Sequence, residues 1–240
     1  HGALETQNFT TATNTFNTAI GYQSGNDITT GQQNTLVGSL SGDALTVGTR
    51  NVAMGVAALG ADTKGSRSVA IGNAALALQN FTTATDVYNV AVGVDAGTNV
   101  TTGIQNTLIG GNAGDALTDG AMNVAVGYAA LSSEDGSTQS VAIGHNALTA
   151  QNTGVTSSHN VAVGSQAGAA VTTGIHNTLI GSLAGDALTD ADYNVGVGYG
   201  ALTNDVLGSQ SVAVGYLALG AQNFTTATDA YNTAVGMYAG

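Results

Sequence analysis

Asn106 to Gly120 reads NTLIGGNAGDALTDG: a short apolar run closed by glycine, a turn of small residues, then a weaker apolar run closed by a second glycine. Nearly the same text stands at Asn34 and at Asn177. Outward from this stretch the chain repeats a shorter frame, which opens on Asn or Ser and closes its first run on a glycine, from Gly21 to Gly236. The steps in sequence number between these glycines run 17, 17, 17, 21, then 17, 17, 17, 20, then 17, 17, 17, 21. Thirteen short units therefore group by fours into three longer repeats, Gly21 to Val92, Gly93 to Val163 and Gly164 to Val235. A fixed period of this kind decides the fold class before local propensity matters.

Each unit fits one coil of an all-β, parallel β-solenoid, a β-roll of about 13 coils with a regular 17-residue circuit. In Asn89-Val-Ala-Val-Gly93 and its relatives, β-branched residues alternate with small ones, and no stretch carries a sustained helical period. The third residue after the opening Asn or Ser is always apolar, as in Ile20, Val37, Met54 and Ile71, and two residues earlier stands Val or Thr. Both columns are expected to face inward. The residue between them, Ala or Leu in twelve units of thirteen and Gly196 in the other, is expected to form an outward apolar stripe. Three residues after the glycine comes Ala or Ser, which suits a tight inner corner. A second wall, carried by Ile28, Leu45, Val100, Leu117, Val171 and Leu188, predicts a second short strand in each coil.

The whole chain, 1–240, reads as a single repeat domain with super-repeats at about 21–92, 93–163 and 164–235 and partial copies at both ends. Thirteen coils at about 4.8 Å predict a rod roughly 60 Å long. Its first and last residues stand in mid-pattern, which suggests a piece of a longer fibre or a subunit that stacks end to end.

Composition bounds the function. There is no Trp, aromatics make up 5% and hydrophobic residues 43%, mostly Ala, Val and Leu, so a thick core of large side chains is not expected. The formal charge is −12, with three basic residues, Arg50, Lys64 and Arg67, and this removes the electrostatic basis for binding nucleic acid or anionic lipid. Without Cys there is no disulfide framework or thiolate metal site, and no long apolar run is available to span a membrane. No cofactor is implied.

The opening residue is Ser in the fourth unit of each group (Ser68, Ser140, Ser211) and otherwise Asn: Asn17, Asn34, Asn51, Asn89, Asn106, Asn123, Asn160, Asn177, Asn194 and Asn232. Stacked about 4.8 Å apart, these amides can form a structural ladder that bonds to the next coil and to local backbone.

The units SVAIGNAAL (Ser68 to Leu76), SVAIGHNAL (Ser140 to Leu148) and NVAVGSQAG (Asn160 to Gly168) resemble the head repeats of YadA-type trimeric autotransporter adhesins. They are equally similar to the NTAIGYQAG-style repeats of bacteriophage tail fibres and virion-surface proteins, and the similarity spans essentially the whole chain. The resemblance implies a trimer of left-handed parallel β-rolls on an extracellular, cell-surface or virion-surface fibre, used for adhesion or as a spacer. The regular 17-residue coil and the four-unit super-repeat depart from the adhesin heads and favour the phage-fibre or filament side.

Every fourth unit carries an insert: QNFTTATD at Gln79 to Asp86, echoed at Gln7 to Asn14 and Gln222 to Asp229, and QNTGVTSS at Gln151 to Ser158. Loops grafted on a rigid scaffold are where recognition usually sits, so Phe81, Thr82, Phe224 and Thr225 are binding candidates for a cell-surface glycan or protein receptor. Asn80 and Asn223 stand in N-glycosylation sequons. The residue just before each opening Asn or Ser is usually large or polar, and Tyr88 and Tyr231 in this column are further candidates, as a sugar-recognising stripe or as inter-chain packing. His159 and His176 stand one coil apart in the same column and are the weak candidates for a metal site, with no carboxylate or Cys to complete it. The closest carboxylate groups, Glu134-Asp135 and Asp190/Asp192, fall in turns and read as solvated rather than catalytic, so the chain is expected not to be an enzyme. Two alternatives to an adhesive fibre are a receptor-free, self-assembling extracellular filament and an ice-binding solenoid. The second is disfavoured because the TTG pairs at Thr29, Thr101 and Thr172 lie four coils apart.

Overall fold

The computed structural model describes residues 2–154 and 157–240. Among them there is no helix; thirteen strands of three residues recur at the sequence period, joined by turns. The chain divides into two compact units, His1–Gly120 and Ala121–Gly240.

The first unit holds six of these strands, Thr18–Ile20, Thr35–Val37, Val52–Met54, Val69–Ile71, Val90–Val92 and Thr107–Ile109. Each pairs in parallel with the next and without a register shift, so that Thr18, Ala19 and Ile20 face Thr35, Leu36 and Val37, and Val92 faces Ile109. The second unit holds seven, from Val124–Val126 to Thr233–Val235, paired in the same manner, with Val141, Ala142 and Ile143 facing Val161, Ala162 and Val163. Each unit is therefore a parallel β-solenoid, in which every coil starts at position 1 with its opening Asn or Ser.

The faces of the strand are the reverse of the sequence expectation. Position 3 points inward: Leu36, Ala53, Ala70, Ala91 and Leu108 in the first unit, and Ala125, Ala142, Ala162, Leu179 and Ala213 in the second, are fully buried. Positions 2 and 4 point outward, and Ile20 and Val235 are 61% and 71% exposed. The reason is the width of the coil. Each short circuit of the chain encloses one narrow layer, and the opposite wall already fills it. In the second coil Leu36 meets Leu45, and a Cβ on Gly42 would stand 2.9 Å from the Cδ2 of Leu36 and 2.9 Å from the Cδ1 of Leu45. There is no room for two further β-branched columns.

The opposite wall is also not a second strand. It is a succession of turns, in which position 7 and position 9 take left-handed backbone, as at Leu40 (φ 57°) and Leu59 (φ 54°). Position 17 does the same, with Gln33 and Arg50 at φ 60°. Only two pairs of two-residue strands occur beyond the main ones among the described residues: Gly65–Ser66 with Thr85–Asp86, and Gly208–Ser209 with Thr228–Asp229.

Two core columns explain why the units group by fours. In the first two coils of each group position 9 is Gly and position 12 is apolar: Gly25 with Ile28, then Gly42 with Leu45. In the next two, position 9 is Leu and position 12 is polar: Leu59 with Asp62, then Leu76 with Gln79. The same alternation gives Leu131 with Glu134, Leu148 with Gln151, Leu202 with Asp205 and Leu219 with Gln222. The bulk removed from one wall is restored on the other, and the leucines are buried throughout.

The polar members are paired, and all but the half-buried Gln222 are buried. Gln79 Nε2 donates to Asp62 Oδ2 at 2.6 Å and to Ser68 Oγ at 3.1 Å. Asp62 Oδ1 accepts the main-chain N–H of Gly65 and of Phe81, at 2.9 and 3.1 Å. Asn89 Nδ2 donates to the side-chain carbonyl of Gln79 at 2.9 Å. The second copy repeats this with Gln151 Nε2 donating to Glu134 Oε2 at 2.8 Å and to Ser140 Oγ at 2.9 Å, and the third with Gln222 Nε2 donating to Asp205 Oδ2. Ser at position 1 of the fourth coil thus has a physical role. Its short side chain leaves the space into which the glutamine amide enters.

Elsewhere position 1 is a ladder of amides. Asn34 Nδ2 donates to the Gly48 carbonyl at 2.9 Å, closing its own coil, and Asn34 Oδ1 accepts the N–H of Asn51 at 2.9 Å, joining the next. Asn177 does the same with Ala191 and Asn194, at 2.7 and 3.0 Å.

Candidate binding surfaces

Position 17 lies at a left-handed corner just before the strand, and the corner turns its side chain out of the coil. In the second unit this brings His159, His176 and Tyr193 together. The ring centroids of His159 and His176 are 5.1 Å apart and nearly parallel, and those of His176 and Tyr193 are 4.9 Å apart. The rings cover one another's faces and offer their edges to solvent, so they do not form the open aromatic platform that a sugar ring stacks on. No group of three or more His, Cys, Asp or Glu is arranged to hold a metal ion among the described residues. In the first unit the face of Tyr88 is taken by the guanidinium of Arg67, 5.3 Å from the ring centroid. Tyr231 is exposed, and its hydroxyl lies 3.5 Å from Asp229 Oδ2.

A second ring column, which the sequence reading missed, runs along position 6. Tyr128 stacks on His145 at 5.8 Å and Tyr199 on Tyr216 at 5.4 Å. Tyr238 meets Tyr216 edge-on at 5.3 Å, and its phenol pKa is raised by the hydrogen bond to Tyr216 and by repulsion from it. The signal in the sequence was the tyrosine directly after the strand-closing glycine, at Tyr22, Tyr128, Tyr199 and Tyr216.

The inserts are only partly displayed. Phe81 is 8% exposed and Phe224 is half-buried, whereas Thr82 and Thr225 are exposed. Phe81 is therefore an anchor of the insert and not a displayed binding group: its N–H is held by the buried Asp62. The far end of the same insert is tied by Arg67, whose Nε stands 2.8 Å from Asp86 Oδ1. In the insert that begins at Gln151, Thr153 takes the place of the phenylalanine, and its hydroxyl is buried without a hydrogen-bond partner among the described residues. Val155 and Thr156 of that insert lie outside the described residues.

Glu134, expected in solvent, is fully buried in the core, as are Asp62 and Asp205. Asp190 and Asp192 do stand at the surface side of the wall, where they accept bonds from the Thr173 hydroxyl (2.7 Å) and the Ile175 N–H (2.8 Å). These carboxylates make hydrogen bonds that hold coils together, and none is paired with a second carboxylate across a cleft. Position 13 carries a threonine column that the sequence reading also overlooked, Thr29, Thr46 and Thr63 in successive coils. Their hydroxyls donate to main-chain carbonyls of the next coil: Thr29 to Thr46 at 3.2 Å and Thr46 to Thr63 at 2.9 Å. The column spends its hydroxyls on the backbone.

In each unit the outer face of the strands is apolar and partly exposed. Its residues at positions 2 and 4 are Val, Thr, Ile and Met in every coil. Met54, Ile143 and Ile180 are 38 to 40% exposed although each has a strand paired on either side. All fifteen acidic residues fall outside positions 1 to 6. No helix among the described residues is long and apolar enough to cross a membrane. No family model, no curated protein and no solved structure matches the chain.

Proposed function

We propose that this solenoid is a non-enzymatic structural segment of an extracellular or virion-surface fibre, which assembles with further copies of itself through the outer strand face and displays its inserts for surface or glycan binding. The observation that carries the reading is the uncharged, apolar face of the strands. A contiguous exposed face of Val and Ile marks an interaction surface on a water-soluble chain. Copies that each carry a formal charge of −12 repel one another unless the mating surface is free of charge, and the carboxylates are confined to the other walls. Closed rotational symmetry covers such a face on every copy at once, and the resemblance to trimeric adhesin heads and phage fibres makes three the expected number.

Light scattering combined with electron microscopy of the purified chain tests this. The expected mass is three times 23.5 kDa. Ile143→Glu, which places a charge in the middle of the face, is expected to give the monomer mass with an unchanged circular-dichroism spectrum. A wild-type chain that remains monomeric at tens of micromolar would remove the assembly reading, and long open polymers would replace it with a filament. Binding on a glycan array or to cells, lost when Thr82 and Thr225 are both changed to Ala, is the expected sign of display by the inserts.

A further inference from the structure

We infer that the buried carboxylate and glutamine pairs are a register code, which makes the third coil of each group accept only a fourth coil as its next neighbour. The code acts within one chain and is independent of the fibre reading.

The need for a code follows from the repeat itself. Strand pairing, the amide ladder and the glycine corners are nearly the same in every coil. Val52 pairs with Val69, but Val90 offers the same side chain in the same frame one coil further on. Main-chain hydrogen bonding therefore discriminates little between the correct neighbour and the next one, which is the condition under which registers slip.

The core does discriminate. Position 12 runs Ile28, Leu45, Asp62, Gln79 in the first group, and Val100 opens the next. If the third coil stacked on the fifth, with the fourth looped out, Asp62 would face Val100. Its Oδ2 would lose the Gln79 amide, and its Oδ1 would lose the Phe81 N–H. A buried carboxylate that keeps only the Gly65 N–H and faces an apolar side chain is a strong penalty, larger than the worth of the pair it came from. Leu59 would face Gly97 as Leu76 does in the native stack, so the leucine and glycine column does not oppose this slip and the polar pair alone does. A displacement of four coils avoids the penalty, because it brings Asp62 to Gln151. The one buried carboxylate per group thus costs little when a fourth coil follows it and much when an apolar coil does, the use of buried polar groups best attested in helical assemblies.

The chain has no Cys, so introduced pairs report register without background. Val52→Cys with Val69→Cys reports native stacking, and Val52→Cys with Val90→Cys reports a skipped coil. Each pair is placed in the full chain in three backgrounds: unchanged, Asp62→Leu/Gln79→Leu, and the swap Asp62→Gln/Gln79→Glu. Glu134 shows that this column accepts the longer acid. The chains are refolded from urea, treated with a short bis-thiol crosslinker, and the intramolecular products are counted by mass spectrometry. The unchanged background is expected to give the 52–69 product alone. The leucine background is expected to raise the 52–90 product at least tenfold, and the swap to return it to the unchanged level, since an acid and an amide still meet. A folded leucine background with no rise in the 52–90 product overturns the inference, as does a swap that behaves like the leucine background. If the leucine chain does not fold, the swap is compared with Asp62→Gln and Gln79→Glu alone. At least a tenfold higher yield of the 52–69 product in the swap supports the code, and equal yields refute it.

Discussion

The side-chain carbonyl of Asn34 accepts the main-chain N–H of Asn51, one coil on, at 2.9 Å, while the amide nitrogen of Asn34 closes its own coil on Gly48. One buried side chain thereby satisfies two main-chain groups that have no other partner within reach of water. Asn34→Ala leaves both unmade. Each buried unsatisfied group costs about 1–3 kcal/mol, so a loss of about 2–4 kcal/mol is expected, read as a lower urea midpoint with an unchanged slope.

Glycine at position 5 answers a different demand. A Cβ on Gly55 would stand 2.2 Å from the carbonyl oxygen of Gly72, which belongs to the backbone of the next coil and cannot step aside. Gly55→Ala is expected to cost about 3 kcal/mol or more, the range of forced backbone shifts in packed interiors. Gly154 has φ +60° but nothing within 4 Å of an added Cβ, and Gly154→Ala is expected to cost only about 1 kcal/mol. Paired thermal melts of the two variants separate the steric from the conformational contribution.

Leu59 is fully buried in the inner wall of the third coil. Leu59→Ala is expected to lower stability by about 2–5 kcal/mol, as leucine truncations in rigid cores do. Differential scanning calorimetry of the variant measures it.

Asp43 gives the chain a pH dependence of opposite sense to an ordinary salt-bridged acid. Burial raises its pKa; main-chain hydrogen bonds oppose this, and the carboxylate of Asp27 adds to the rise. The folded chain therefore holds this proton at pH values where the unfolded chain has released it, and stability falls as pH rises through that window. Asp43→Asn cannot ionise. It is expected to be more stable than the parent at neutral pH, with the advantage vanishing in acid below the unfolded carboxylate value, as urea titrations at pH 3 and pH 7 would record.

The period, the parallel stacking and the number of coils were legible in the sequence, because like residues recur at fixed intervals and only a coil of that period brings Val92 beside Ile109. Which side of the strand is the interior was not. Alternation assigns Val52 and Met54 to one face and Ala53 to the other, but it carries no sign, and the larger residues were assigned to the core. The width of the coil decides the question, and that width depends on how the opposite wall turns at Leu40 and Leu59. Glu134 reads as a turn residue because acids are common in turns, and Asp62 carries no signal of its own. The clue lay in the column three residues before them, where Leu replaces Gly whenever an acid or amide replaces Ile or Leu. Among the display candidates, Thr82 and Thr225 stand at the surface, whereas Phe81 is drawn inside by the same buried acid.

The alternation of two dry coils with two polar ones also sets the increments by which a gene for this chain can lengthen or shorten. Excision of the codons for the third or the fourth coil alone would strand Gln79 or Asp62 without its counterpart, whereas loss or duplication of the whole stretch from Gly21 to Val92 keeps every such pair together. The acid-bearing coil and the amide-bearing coil are inherited or lost together.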